Sequence, residues 1–169
     1  MLKLLDAKFR RIPGHYVVQC LLAAAAMMVV LALMDTVEET ALIASLGASA
    51  FIAFTMPHVH VSEARYMVGG YVVGVVVGVV FGLAYRWLDP AAVGVSHVVA
   101  EVVMGGLAVG VAIFLMVVTN TEHPPAAGIS LGLVVSRTWG LRTVGVILGC
   151  IVALTLAKWL LRRYLRNLL

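Results

Sequence analysis

The chain has 169 residues, 63% of them hydrophobic and only 12% charged. A soluble domain of this length carries about 45–50% apolar and about 25% charged residues, so the composition excludes a soluble globular domain and places the chain in a bilayer. The net charge of +4 does not imply nucleic acid: eight of the twelve Lys and Arg residues lie in the two tails, where juxtamembrane charge stands.

The chain opens on "MLKLLDAKFRRIPGHY", a basic stretch ahead of an apolar run over roughly 16–34. That run is longer than the core of a cleavable signal peptide, about 7–15 residues, and reads as a retained first span. An acidic loop with Glu38 follows, then a shorter apolar run over 40–56. As a helix it reaches roughly 25 Å, a length that permits crossing or dipping. The polar loop 57–65 holds His58, His60, Glu63 and Arg65. Long apolar runs over 66–85, 98–118 and 143–161 predict three more spans, each near the ~20 residues needed to cross. Between the last two lies a second short run, 126–136, only about 16 Å long as a helix.

These runs predict an all-α polytopic membrane protein. It has four long transmembrane helices and two short ones, in a single membrane domain over residues 1–169 with no soluble domain at either end. Lys3, Lys8, Arg10 and Arg11 before the first span, and Lys158, Arg162, Arg163 and Arg166 at the end of the last, place both termini in the cytoplasm. The inner membrane of a cell is the expected location, and the number of crossings is even. Four crossings with two dipping segments and six full crossings both leave nine positive residues inside and three outside. In both, loops 57–65 and 119–125 share a side.

Glycines recur every fourth residue: Gly70, Gly74, Gly78 and Gly82 in the second long run, Gly106 and Gly110 in the third, Gly145 and Gly149 in the fourth. Residues four apart share a helix face, and small residues there admit a second backbone. The expected role is helix packing, within the chain or against another copy, which suits a homo-oligomer. Cys20 and Cys150 lie in apolar runs and read as inert thiols. Glu101, four residues into its run, can still reach the interface. Each half of the chain reads long, short, long. Glu38 matches Glu122, and Ser45-Leu46-Gly47 echoes Ser130-Leu131-Gly132. Such a three-element repeat resembles those of many transporters, with the site at the repeat interface.

The stretch "TNTEHPPAAGISLG" (119–132) is the most informative. Pro124 and Pro125 fit only the first turn of a helix, so they mark a helix start near Ala126. A helix amino terminus has unpartnered N–H groups and about half a positive charge, a ready anion site. Glu122 and His123 stand just before it. A dip explains the prolines and the short length together. It carries the chain to mid-membrane at His123 and returns the short helix to the same surface near Arg137. The six-crossing alternative leaves His123 at a surface, with Arg137 opposite.

Three ordered motifs carry a resemblance: His123-Pro124-Pro125, "LGASAFIAFTMPH" at 46–58, and "ARYMVGGY" at 64–71. Together they resemble the HPP family of small integral membrane proteins, over about residues 15–165. The resemblance implies a four-span membrane protein associated, in chloroplast and cyanobacterial members, with nitrite transport. The chain departs from the family's usual pattern with Tyr66 in place of asparagine and Tyr71 in place of histidine, and with Gly128 displaced by one residue.

The expected function is a transporter or channel for a small monovalent anion, nitrite first, and not an enzyme. The expected substrate-binding residues are His123, Pro124, Pro125, Ala126, Arg65 and His58, with no cofactor and no metal. Arg65 is the cationic candidate because its loop shares a side with His123. The partners expected are the anion, the lipid bilayer and further copies of the chain. Two other readings stand beside it. One is a packing or assembly subunit without transport. The other is a metal-binding membrane enzyme using His58, His60, Glu63, Glu122 and His123, although no helical His-Glu-x-x-His pattern is present.

Overall fold

A computed structural model describes residues 11–33, 40–87, 90, 94–136 and 139–168. Glu38 and Arg137 lie outside the described residues. Among the described residues six α-helices of more than ten residues follow in order: α1 (Pro13–Leu33), α2 (Thr40–Thr55), α3 (Ala64–Trp87), α4 (His97–Thr119), α5 (Pro124–Val135) and α6 (Leu141–Leu161), with a 3-10 turn at His60–Ser62 between α2 and α3. There is no strand among the described residues.

The four long helices have 21, 24, 23 and 21 residues and are apolar enough to cross a membrane. At 1.5 Å per residue they measure about 31–36 Å, which matches a hydrocarbon core of about 30 Å. Their outer faces expose large apolar side chains such as Leu21, Val98, Val102 and Phe114. On a membrane protein such faces meet lipid or another copy. The buried core instead gathers on the short helices. Seven of the twelve α5 residues are buried, and eight of the sixteen in α2, whereas α1 buries only Gln19 and Val30.

The glycines of α3 explain how α5 reaches the centre. A Cβ on Gly70 would stand 2.7 Å from the His123 Cβ and 2.9 Å from the Thr121 carbonyl oxygen. One on Gly74 would run into the Ala126 carbonyl, one on Gly78 would stand 2.9 Å from the Ser130 Cα, and one on Gly82 2.8 Å from the Leu133 oxygen. All four positions are therefore backbone-to-backbone contacts that a side chain would open. The partners on α5 rise in number as the glycines do, so α3 and α5 run parallel. On its other side α5 runs antiparallel to α2, with Gly128 against Ser45 and Gly132 against Leu42.

One end of the bundle gathers the start of α1, the end of α2, loop 57–63, the start of α3 and the end of α6. Gln19 on α1 donates to the carbonyls of Phe54 and Arg166, the latter at 2.9 Å. Tyr16 donates to Leu168 O, and Lys158 to Ser62 O. Arg65 reaches the end of α4 at Thr119 O. The opposite end gathers the end of α3 and the starts of α4 and α6: Tyr85 donates to His97 O, and Arg86 stacks on Trp139 4.5 Å from its ring centroid. Since α5 begins beside Gly70 and ends beside Gly82 and Trp139, it travels from the first end toward the second.

This corrects the dipping arrangement. The short helix does not return to the end it came from, and the six helices alternate in direction. The surface position expected for His123 with six crossings is also corrected. The residue is fully buried, level with Gly70, six residues and so about 9 Å along α3 from its start. The alternation has a further consequence. Helices α1–α3 and α4–α6 share the order long, short, long but run in opposite senses, with α2 and α5 packed antiparallel at the centre.

Candidate functional site

Helix α4 ends because Asn120 takes the left-handed conformation, φ 54°. Its N–H turns back to Met116 O and Val117 O, and Thr121 N–H donates to Met116 O at 2.9 Å. These bonds satisfy the last carbonyls of the helix. The chain then runs extended to His123, φ −134° and ψ 96°, the region the residue before a proline prefers. Pro124 and Pro125 occupy the first two positions of α5, where the missing N–H is not needed. The His123 side chain makes no cap bond and turns into the core.

There it joins three segments. The Nδ1–H donates to Val61 O at 2.8 Å, because a carbonyl can only accept. That bond fixes the tautomer and leaves Nε2 as an acceptor, 2.8 Å from Ser49 Oγ on α2. Ser49 Oγ is also 2.8 Å from the Tyr71 hydroxyl on α3. One set of donors satisfies the whole chain: Tyr71 O–H to Ser49, Ser49 O–H to His123, His123 N–H to Val61. Tyr71, Ser49 and His123 are all fully buried, and the Tyr71 and His123 rings lie 5.8 Å apart. Ser49 has a second acceptor, the Ser45 carbonyl at 3.2 Å. Turning its hydroxyl there frees the Ser49 lone pair to accept from a doubly protonated imidazole. Rotating that one hydroxyl therefore gives the cluster a complete hydrogen-bond pattern for either protonation state of Nε2.

The other expected site residues are placed as follows. Pro124 is exposed, Pro125 half-buried and Ala126 fully buried. The prolines carry no N–H, and Ala126 N–H donates to His123 O at 2.9 Å. The start of α5 thus offers an anion its dipole but no free donor from these three residues. Arg65 is exposed and donates to Thr119 O at 3.3 Å, the last carbonyl of α4. A cation at a helix carboxyl end is favourably placed. Glu122 keeps one carboxylate oxygen buried without a hydrogen-bond partner, next to His123. His58 is exposed, donates from its ring to Leu165 O at 3.1 Å, and binds Asn167 Oδ1 through its backbone N–H. His60 lies against Tyr66, ring centroids 3.8 Å apart.

No three His, Cys, Asp or Glu side chains converge as a metal-binding group among the described residues. The five ligand-type residues of the metal reading are dispersed among these separate contacts. Gly106, Gly110, Gly145 and Gly149 have open space where a Cβ would stand. Unlike at the glycines of α3, a Cβ there would meet no other part of the described chain.

Sequence reasoning missed Ser49 and Tyr71 as partners of His123. Both lie in the quoted motifs, Ser49 within Gly-Ala-Ser-Ala and Tyr71 after Gly-Gly. The signal that was available is that two of the motifs put a hydroxyl beside small residues in an apolar run, Ser49 between Ala48 and Ala50 and Tyr71 after Gly69 and Gly70. A buried hydroxyl must find a partner, and the three motifs together hold the partners.

The sequence matches the family described as "HPP, transmembrane region" over residues 10–167. No curated protein matches it, and no solved structure does.

Proposed function

The chain belongs to the HPP family of transmembrane proteins, and on that premise we propose that this multi-pass membrane protein transports a small monovalent anion, nitrite first. The observation that carries the reading is the buried His123–Ser49–Tyr71 chain, where α5 begins between α2 and α3. An ionisable group inside an apolar bundle is costly and is kept for function or pairing. A helix amino terminus beside it adds partial positive charge in a low-dielectric setting. Inverted long, short, long halves with short helices at their interface are the arrangement in which many transporters place substrate. Nitrite itself comes from the resemblance to family members associated with it.

In this reading His123 meets the anion, and the dipole of α5, starting at Pro124, Pro125 and Ala126, draws it in. The absence of free N–H groups at those residues favours passage over tight retention. Arg65 and His58 attract the anion at the bundle end they share. That end is cytoplasmic, because it carries Lys158, Arg162, Arg163 and Arg65. The membrane is the inner membrane of the cell. Gly106, Gly110, Gly145 and Gly149, open to the outside of the bundle, support contact with further copies of the chain. The test is uptake of nitrite into proteoliposomes of purified protein. Uptake above empty liposomes is expected, and rates equal to empty liposomes under both an imposed voltage and an imposed pH gradient overturn the reading.

A further inference from the structure

Where loop 57–63 meets the end of α6 there is a cleft of about 520 Å³, lined by Pro57, His58, Glu63, Lys158, Trp159 and Arg162 among others. Lys158 is the unusual member. It sits in the last turn of α6 and is only 9% exposed. A buried ammonium is costly unless its donors are used. It has three N–H donors, and among the described residues its one hydrogen-bond acceptor is the Ser62 carbonyl. Arg162 stands one turn on, on the same side of the chain's end. It is exposed, and its guanidinium has no hydrogen-bond partner among the described residues.

The tail after α6 runs beside His58 of the cleft. It folds back over the loop through the His58 bonds to Leu165 and Asn167, and through Leu168 N–H to Thr55 O at 2.8 Å. Among the described residues Glu63 supplies the one carboxylate on the lining, and its charge acts on Lys158. Two cations against one carboxylate leave the cleft net positive by about one charge. That balance suits a singly charged guest better than a doubly charged one. Trp159 is 59% exposed at the same level, where interfacial tryptophans stand in membrane proteins.

We infer that this cleft binds a singly charged oxyanion group, held by the Lys158 ammonium and the Arg162 guanidinium. The group is either a free inorganic anion or the phosphodiester of an anionic lipid. The site is distinct from the buried imidazole and does not depend on transport. The two share one short segment: Val61 gives its carbonyl to His123 and Ser62 gives its own to Lys158. A guest that draws on Lys158 therefore pulls one residue away from the anchor of His123.

The experiment measures the melting temperature of the purified full chain in neutral detergent at fixed ionic strength. In one arm sodium nitrite replaces sodium chloride. In the other, short-chain phosphatidylglycerol is compared with phosphatidylcholine. A saturable rise with nitrite identifies a free anion as guest, and a rise with phosphatidylglycerol alone identifies a headgroup. Lys158→Gln and Arg162→Gln are expected to weaken the apparent affinity about tenfold or more, as loss of a charge-assisted bond does, while Lys158→Arg retains it. Arg162 is exposed, so its variant keeps the test valid if Lys158→Gln does not fold. No rise with either probe, or an equal rise in Arg162→Gln and wild type, overturns the inference. Neither result bears on nitrite flux, so the two proposals fail separately.

Discussion

The Ser49 hydroxyl stands 2.8 Å from Nε2 of His123. The pair ties α2, from the first half of the chain, to the residue that opens α5, from the second. Around it α3 contributes Tyr71 through its hydroxyl and Gly70 through the absence of a side chain. One buried polar junction thus depends on all three motifs of the sequence.

Ser49→Ala leaves both His123 Nε2 and the Tyr71 hydroxyl without their partner in the core. A buried polar group left unpaired costs about 1–3 kcal/mol. Tyr71→Phe removes a hydroxyl whose loss leaves Ser49 still bonded to His123, and is expected to cost about 0.5–1.5 kcal/mol. Melting of the two variants in the same detergent checks the order. A Tyr71→Phe protein less stable than Ser49→Ala contradicts the proposed donor direction.

Gly74 and Gly106 look alike in sequence and differ in the structure. Gly74→Val places a side chain where the Ala126 carbonyl lies. It is expected to separate α3 from α5 and to abolish the monodisperse peak on size-exclusion chromatography. Gly106→Ala has open space and is expected to change monomer stability by no more than about 0.5 kcal/mol. If copies associate through this face, larger residues at Gly106 and Gly110 reduce cross-linking between copies while the monomer stays folded. Unchanged cross-linking removes that face from the oligomer.

Much of this was legible beforehand. The four long helices begin and end within three residues of the predicted runs, because runs near twenty apolar residues admit few other solutions. The start of α5 was readable from its two prolines. The direction of α5 was not readable. Eleven apolar residues are too few to cross a full hydrocarbon core, but that limit applies to a helix that faces lipid on its own. In the structure α5 is enclosed by α2, α3 and α4, with Leu133 and Ile129 fully buried. A helix inside a bundle does not need to match the bilayer. The same enclosure hid the Ser49 and Tyr71 contacts, which depend on how α2 and α3 cross α5.

The direction of α5 is testable by labelling. In a Cys20→Ser, Cys150→Ser background, single cysteines replace Glu63, Ser96 and Gly140, all exposed positions. An impermeant thiol reagent is expected to reach Glu63→Cys from one face and Ser96→Cys and Gly140→Cys from the other. Labelling of Gly140→Cys from the Glu63 face restores the dipping arrangement and contradicts the fold described above.

The proposed route of an anion across this bundle passes His123. The most direct measurement is nitrite uptake by proteoliposomes carrying equal amounts of wild type and His123→Gln. The substitution keeps a polar side chain at the start of α5 and removes the group that can gain and lose a proton at Nε2. The account predicts uptake well above empty liposomes for wild type, and a fall of about tenfold or more for His123→Gln, the scale of one lost charge-assisted contact, with the size-exclusion profile unchanged. Equal uptake by the two folded proteins, or wild-type uptake no faster than empty liposomes, contradicts it.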